Sequence, residues 1–362
     1  MTGRLRIVIL GLSITSSWGN GHATTYRALV AQLRARGHDV LFLEREVPWY
    51  AAHRDLPQPP YCRAALYQDR ADLEQRFRDE VAEADLVVVG SFVPEGAAVG
   101  EWVVRTATGV TAFYDIDTPV TLAQLARGEC EYLSLELIPR YDLYLSFTGG
   151  PMLERLEREF GSPAARPLYC SVDPDTYRPQ DLPARWDLGY VGTYSADRQP
   201  GLERLLLAPA ARDPELRFLV AGPKYPESLR WPENVTRLPH VEPARHPWLY
   251  GSQRFTLNLT RADMIAAGWS PSVRLFEAAA CGTPIISDYW DGLETFLTPG
   301  REILLARSSQ EMLEILREMP DTERRALGTR ARQRVLAAHT SAHRARELEG
   351  YVAQLVAREP SP

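Results

Sequence analysis

The chain has 362 residues, a length that fits two domains of ordinary size. Its 41 lysines and arginines and 47 acidic residues give a net charge of -6, which excludes the basic surface of a nucleic-acid-binding protein. Four scattered cysteines fit neither a zinc knuckle nor a disulfide framework. No apolar run suits a transmembrane segment and the N-terminus runs straight into a predicted strand, so we expect a cytoplasmic protein that acts on small molecules.

Predicted strands and helices alternate through the first half of the chain. The run RLRIVILGL at 4–12 is apolar and ends in glycine, which is typical of a strand buried on both faces. A segment with helical spacing follows and ends at Gly37, and the strand-like DVLFLE comes next. Further strand-like runs lie at 84–92, 109–117 and 141–149. This βαβ pattern predicts a parallel, doubly wound sheet.

The pattern is interrupted once and then resumes. Residues 166–185 are rich in proline and lack periodicity, which indicates a linker. Strand-like and helical runs alternate again from 186, and an arginine-rich amphipathic segment near the C-terminus is long enough to cross back over the first domain. We therefore predict domains at 1–165 and 186–335, joined by the linker, and a C-terminal helix at 336–362 that packs on the first domain.

A helix is predicted at 271–281 within GWSPSVRLFEAAACGTPIIS. Ser270 is the predicted N-cap, and Pro271 suits the first helical position because it gives up an N–H that would have no partner. The free N–H groups and positive dipole at this N-terminus suit a diphosphate. Glu277 lies roughly 9 Å further along the axis, within reach of ribose hydroxyls. Alternatively, Glu277 pairs with Arg274 on a solvent-exposed face.

The same stretch carries a family resemblance. SPSVRLFEAAACGTPIIS, with GNGHATTYRAL, FYDIDTPVTLAQL, GYVGTYSADRQP and HTSAHRARELE, resembles the spore-maturation CgeB-like glycosyltransferases, which have the GT-B fold and are allied to family 4. The resemblance covers nearly the whole chain. It implies two Rossmann-like domains with doubly wound parallel sheets, the first binding an acceptor and the second a nucleotide-sugar donor, and a C-terminal helix crossing back to the first.

In family 4, the acid at the position matching Glu277 binds the ribose of the donor. A second acid of the family signature, eight residues earlier, is replaced here by Trp269. Gly192 and Thr193 occupy a strand-to-helix turn where a glycine lets the backbone approach a phosphate, and Arg198 is a candidate clamp or an ordinary exposed arginine. The predicted donor-site residues are Gly192, Thr193, Arg198, Lys224, Ser272, Val273, Arg274 and Glu277, although an ordinary surface lysine is the favoured interpretation of Lys224.

The predicted catalytic pair lies in the first domain. GNGH resembles the loop that carries a base histidine in several inverting GT-B families, and a turn at Gly19 and Gly21 would place His22 at the mouth of an interdomain cleft. Asp117 follows a strand of the same domain and is a candidate to fix the imidazole tautomer. Alternatively, His22 packs or caps a loop and Asp117 is an N-cap.

Substrate-binding candidates complete the site. They are Gly19, Gly21, Asp115, Trp49 and Asp288, where Asp288 would face hydroxyls of the donor sugar. Asp115 and Asp117 also spell DxD, which binds metal in another glycosyltransferase fold, but both lie away from the predicted phosphate site. We therefore predict no metal and no cofactor beyond a nucleotide-diphosphate sugar as co-substrate, UDP-sugars being one candidate class.

The predicted function is metal-independent transfer of a sugar, in the manner of a hexosyltransferase, to an unidentified acceptor that is a glycan, a small molecule or a protein. Inverting chemistry follows from a base histidine. A nucleotide-sugar 2-epimerase of the same fold is one alternative, and it would convert the donor without an acceptor. A non-catalytic sugar-nucleotide binding protein of spore or envelope assembly is another.

Overall fold

The structure is a computed structural model that describes residues 3–19 and 21–357. It divides into two compact units. Unit 1 comprises the described residues up to Cys170 and those from Ser341 onward, and unit 2 comprises Ser171–Thr340. The predicted C-terminal helix extends into 358–362, which lies outside the described residues.

Strands and helices alternate in both units. The first part of the chain contains β1 (Arg6–Gly11), α1 (Gly21–Ala35), β2 (Asp39–Arg45), α2 (Pro48–Ala51), β3 (Arg63–Tyr67), α3 (Arg70–Arg76), α4 (Arg78–Ala82), β4 (Leu86–Gly90), α5 (Gly96–Thr106), β5 (Val110–Asp115), α6 (Thr118–Arg127), β6 (Leu143–Ser146), α7 (Pro151–Arg158) and β7 (Ala165–Pro167). The remainder contains β8 (Trp186–Val191), α8 (Gln199–Leu202), α9 (Ala208–Arg212), β9 (Phe218–Ala221), β10 (Val235–Leu238), α10 (His246–Gly251), β11 (Gln253–Asn258), α11 (Ala262–Ala267), α12 (Val273–Ala280), β12 (Ile285–Ser287), β13 (Leu304–Leu305), α13 (Ser309–Glu318), α14 (Asp321–Ala338) and α15 (Ser341–Val356). A π-helical turn, Glu203–Leu207, joins α8 to α9.

Unit 1 is built on a seven-stranded sheet in the order β3-β2-β1-β4-β5-β6-β7. All of its pairings are parallel. Helices cover both faces, so the central strands are apolar throughout: the side chains of β4 from Leu86 to Val89 are each 3% exposed or less. This arrangement explains why the central strands read as continuous apolar runs.

Unit 2 repeats the arrangement with six parallel strands in the order β10-β9-β8-β11-β12-β13. Its strand β9 is likewise buried along its whole length. In each unit the chain first adds strands on one side of the first strand and then on the other, so β1/β4 and β8/β11 are topological switch points. Ligands of such sheets bind at the carboxyl ends of the strands beside these points. The prediction of two doubly wound parallel sheets is confirmed.

Helix α15 belongs to unit 1 and packs against α1. Its buried Glu349 accepts hydrogen bonds from Arg36 Nε and Nη2, both at 2.5 Å. The carboxylate also lies 2.6 Å from His38 Nε2, while His38 Nδ1 accepts from the Leu5 N–H at 3.1 Å. Because Nδ1 is an acceptor, Nε2 carries the proton and donates to Glu349. One carboxylate thereby fixes α15 to the end of α1 and the start of β2.

We expect Glu349→Gln to lower the free energy of unfolding by about 2–3 kcal/mol at neutral pH, because it leaves Arg36 without its buried counter-ion. Burial alone would raise the pKa of Glu349, but the hydrogen bonds from Arg36 and His38 outweigh burial and lower it. A carboxyl group whose pKa is lower in the folded protein stabilises the fold at pH values above its unfolded pKa of about 4.3. This stabilisation is lost as the pH falls through the folded pKa. Urea unfolding between about pH 3 and pH 7 should show that the free energy of unfolding of the wild type decreases at acidic pH, and that the decrease is smaller in the variant. The exposed Glu318→Gln is the matched control, and equal curves for both variants would contradict the role of Glu349.

None of the described helices combines the length and the apolar character that crossing a bilayer requires. The longest of them, α14, has 18 residues and carries arginines along its length. The predicted cytoplasmic location stays a prediction.

Candidate functional site

Two glycine loops meet at the carboxyl edge of the sheet of unit 2. Gly192 follows β8 and Gly222 follows β9. The backbone of Gly222 has φ +148°, and a Cβ atom there would collide with the carbonyl oxygen of Gly192. A Cβ atom on Gly192 would lie 2.6 Å from the Tyr190 hydroxyl and 3.0 Å from Arg274 Nη2. Glycine is therefore required at both positions, and the bare backbone of Gly192 borders the guanidinium of Arg274.

Arg274 lies in the first turn of α12 and is only 7% exposed. Its Nε donates to the carbonyl oxygen of Val191 at 2.6 Å, and its Nη1 donates to Asn258 Oδ1 at 2.9 Å. The guanidinium also lies 4.9 Å from the ring centroid of Tyr190. Among the described residues, no carboxylate forms an ion pair with it. A buried cation held only by neutral groups is costly unless an anion joins it, so this position suits an anionic ligand.

Helix α12 begins two residues later than predicted. Ser272, with ψ 150°, is the N-cap in place of Ser270, whose hydroxyl instead donates to the Gly268 carbonyl oxygen at 2.9 Å. The Ser272 hydroxyl donates to Asn258 Oδ1 at 2.8 Å, so no side chain caps this helix N-terminus. Asn258 thus ties the start of α12 to the end of β11. The Leu275 N–H donates to the Ser272 carbonyl oxygen at 3.1 Å, so the N–H groups of Val273 and Arg274 are the ones available to an anion.

Glu277 is buried, 5% exposed, on the same helix. Its Oε2 accepts a hydrogen bond from the Tyr250 hydroxyl at 3.0 Å and lies 3.8 Å from His246 Nδ1. Burial alone would lower the pKa of His246, but Glu277 and the Val241 carbonyl oxygen together outweigh burial and raise it. The alternative that Glu277 pairs with Arg274 on an exposed face is wrong, because both side chains are buried and contact other residues. Its role as a ribose acceptor stays a prediction.

Arg198 and Asp288 line one cavity of about 380 Å³ at the same edge of the sheet. Arg198 Nη2 donates to the Thr193 carbonyl oxygen at 2.8 Å, and burial lowers the pKa of Arg198. Asp288 accepts from the N–H and the hydroxyl of Thr260, each at 2.8 Å, and burial raises its pKa. Lys224 is exposed on the loop after β9, with a left-handed φ of +69°, and is not among the residues lining this cavity.

The candidates of unit 1 follow β1, β2 and β5. Gly19 has φ +58°, and Gly21 is the first residue of α1. His22 is half-buried and contacts Phe92 edge to face, with ring centroids 5.4 Å apart, and burial lowers its pKa to about 4. Trp49, in α2, is 55% exposed. The strand β4 separates β1 from β5, and the orientation of His22 by Asp117 stays a prediction.

Asp115 does not contact substrate as predicted, because it is fully buried. Its carboxylate accepts from the Tyr144 hydroxyl at 2.5 Å, the Thr121 hydroxyl at 2.8 Å and the Asp117 N–H at 3.1 Å. Burial raises the pKa of Asp115 to about 6 despite these bonds. Asp117 occupies the N-cap position of α6, but its side chain does not cap the helix. Within 3–19 and 21–357, no group of three or more His, Cys, Asp or Glu is arranged to hold a metal ion.

Three further residues of the site, Asn258, Tyr250 and His246, are not predicted from the sequence. Asn258 is fully buried at the end of the otherwise apolar strand QRFTLN, and a polar residue at the carboxyl end of such a strand is the signal that could have revealed it. Tyr250 and His246 share a face of α10 at helical spacing, but their contact with Glu277 depends on how α10 packs on α12. No local pattern predicts that packing.

The comparisons with known proteins agree with this geometry. A glycosyl transferase-like family model matches residues 198–350. Sucrose-phosphate synthase from Thermosynechococcus elongatus is 19% identical, with a TM-score of 0.69 over 97% of this chain and 99% of that one. Anabaena HepE in complex with UDP and glucose is 13% identical, with a TM-score of 0.72 over 97% and 100%. An alpha-glucosyltransferase in complex with UDP is 11% identical, with a TM-score of 0.71 over 96% and 100%. None of the curated proteins matches this chain.

The structural likeness extends over nearly the whole of each chain, so it covers both units. The narrower CgeB-like assignment stays a prediction. The chain therefore has the GT-B fold, and the family model together with these neighbours supports a glycosyltransferase.

Proposed function

We propose that this protein is a metal-independent glycosyltransferase that moves a hexosyl group from a nucleoside-diphosphate sugar to an acceptor. The observation that carries the proposal is the buried cation of Arg274, which has no acidic partner among the described residues and lies beside the uncapped N-terminus of α12. The neighbours with UDP bound support a UDP-sugar as the donor.

The chemistry of the proposed reaction follows from where negative charge develops. Breaking the bond between sugar and diphosphate leaves additional charge on the departing phosphate. Arg274, Arg198 and the first two N–H groups of α12 are positive groups fixed in advance, and such preorganised groups stabilise developing charge without rearrangement. The bare backbone of Gly192 allows the phosphates close approach, and Glu277 would accept from the ribose hydroxyls. These residues supply the charge neutralisation that a metal supplies elsewhere.

We further propose that His22 removes the proton of the acceptor hydroxyl, assisted by Asp117, and that the anomeric configuration is inverted. The pKa of about 4 leaves the imidazole neutral at physiological pH and able to accept a proton. As the pH is lowered, kcat/KM should therefore stay constant through pH 6.5 and decrease only near pH 4. His22→Ala should lower kcat by about a hundredfold or more. A normal rate in His22→Ala, or a product with retained configuration by NMR, would show that this mechanism is wrong.

The test of donor binding is a thermal-shift series with UDP-, GDP- and dTDP-sugars. A ligand that binds only the folded protein raises its melting temperature with concentration, so the cognate donor should give a saturable shift. Slow release of free nucleotide in the same samples would show turnover. Isomerisation of the sugar nucleotide without an acceptor would indicate the epimerase instead, and binding without any donor consumption would indicate a binding protein. No stabilisation by any sugar nucleotide would contradict the proposal.

A further inference from the structure

Unit 2 contains a cavity lined by two arginines, Arg204 and Arg307, that have no role in the proposed diphosphate site. It has a volume of about 380 Å³ and opens where β8, β11, β12 and β13 end. Three arginines line it: Arg198 after β8, Arg204 in the π-helical turn, and Arg307 after β13. We call it the arginine cavity. Because the carboxyl ends of four parallel strands meet there, it lies at the edge where ligands of such sheets bind.

The positive charge of the arginine cavity is not balanced by its own residues. The exposed guanidinium groups of Arg204 and Arg307 form no hydrogen bond or ion pair with any described residue. Both acids of the cavity are already engaged. Asp197 accepts from the Ala262 N–H at 3.0 Å and pairs with Arg261 at 3.8 Å, and Asp288 accepts twice from Thr260. Three arginines and two carboxylates give the lining a net positive charge, and the two carboxylates form no ion pair with Arg204 or Arg307.

Arg198, already part of the proposed diphosphate site, adds a buried donor to the lining. Its Nε is inaccessible to solvent and has no hydrogen-bond partner among the described residues, while Nη2 donates to the Thr193 carbonyl oxygen at 2.8 Å. A buried N–H without an acceptor is costly, and native proteins usually satisfy such groups. The lining also contains the apolar groups of Leu259, Ile265 and Tyr289, the last two 40% and 46% exposed. A cavity lined by both apolar groups and charged donors suits a sugar ring that carries an acidic group.

We propose that the arginine cavity binds a carboxylate or phosphate substituent of a substrate sugar and so selects acidic over neutral sugars. This inference rests on the proposed glycosyltransferase function, and it names the substrate class. Guanidinium groups bind both anions through charge-assisted hydrogen bonds, so the chemistry is the same whether the acidic group belongs to the donor sugar or to a sugar phosphate.

The experiment compares matched pairs of ligands by calorimetry at low salt. UDP-glucuronate against UDP-glucose tests an acidic donor sugar, and glucose 6-phosphate against glucose tests a sugar phosphate. In one of the pairs we expect the wild type to bind the acidic member at least about tenfold more tightly, since one charge-assisted contact is worth about that factor. The double variant Arg204→Gln/Arg307→Gln should lose about a hundredfold for that acidic ligand and much less for its neutral partner.

Arg230→Gln, an exposed arginine of the same unit outside the cavity, is the matched control and should keep the preference. Because the guanidinium groups of Arg204 and Arg307 are exposed and form no hydrogen bond or ion pair with a described residue, the double variant should melt near the wild-type temperature. Equal losses for UDP-glucose and UDP-glucuronate would mean that these arginines serve the common diphosphate, and would overturn the proposal. So would a wild type without preference in either pair. If the wild type binds no UDP-sugar, the proposed function fails, and the glucose 6-phosphate pair alone decides whether the cavity binds acidic sugars.

Discussion

Replacing Glu277 with alanine is expected to weaken sugar-nucleotide binding by at least about tenfold and to lower the free energy of unfolding by about 3 kcal/mol. The stability loss arises because the Tyr250 hydroxyl, buried 3.0 Å from Glu277 Oε2, loses its acceptor and a cavity replaces the side chain. The binding loss arises because the carboxylate is the proposed partner of the ribose hydroxyls. Calorimetry with UDP-glucose and urea unfolding measure the two effects.

Two further variants separate binding from stability. Tyr250→Phe removes the same internal hydrogen bond but keeps the carboxylate, so it should lose about 1 kcal/mol of stability and retain most of the donor affinity. Glu277→Gln keeps the shape but not the charge, and should bind donor more weakly at nearly unchanged packing. Wild-type affinity of Glu277→Ala for every sugar nucleotide would contradict the proposed donor site.

Replacing Arg274 with methionine should have opposite consequences for binding and stability. Methionine fills a similar volume, so the folded protein loses a buried cation that forms no ion pair with a described residue. The hydrogen bonds that are lost are then offset by the desolvation penalty that disappears with the charge. We expect the free energy of unfolding to change by less than about 1 kcal/mol. The affinity for UDP-glucose should nevertheless fall about a hundredfold, because the diphosphate loses its most buried donor.

The variant Arg274→Lys tests whether the charge alone is sufficient for donor binding. Lysine keeps the charge, but its single ammonium group cannot reproduce the planar fork that reaches the Val191 carbonyl oxygen and Asn258 Oδ1 together. It should recover part of the lost affinity, about tenfold. If Arg274→Met destabilises the protein by several kcal/mol and binds the donor normally, Arg274 has a structural role only. The proposed function then loses its main support.

The fold was predictable because its signals are local. Helices cover both faces of each sheet, so a strand such as β4 is apolar at every position, and its character is visible without knowledge of its neighbours. The sequence predicts the start of α12 two residues too early, because Ser270 and Pro271 match the signature of a helix N-terminus. Ser272 itself is extended, with ψ 150°, and its hydroxyl bonds to Asn258, 14 residues earlier in the sequence.

The site was less predictable because its contacts are tertiary. Helical spacing puts Arg274 and Glu277 on neighbouring positions of one helix and favours a pair between them, yet Arg274 bonds to the ends of two strands and Glu277 to α10. Asp115 ends a strand, as many ligand-binding acids do. Its burial follows from the parallel pairing of β5 with β6, which brings the Tyr144 hydroxyl within 2.5 Å. Neither outcome is encoded in residue spacing.

The return of α15 to the first unit constrains the order in which the protein is made. Unit 2 is one continuous segment, Ser171–Thr340, whereas unit 1 needs residues from both ends of the chain. During synthesis, unit 2 can complete its core before Glu349 has been synthesised. Arg36 and His38 can form their bonds to Glu349 only after the C-terminal segment has been added. Domains usually fold from the N-terminus onward as the chain emerges. In this protein, we therefore expect the unit that is synthesised first to be completed last.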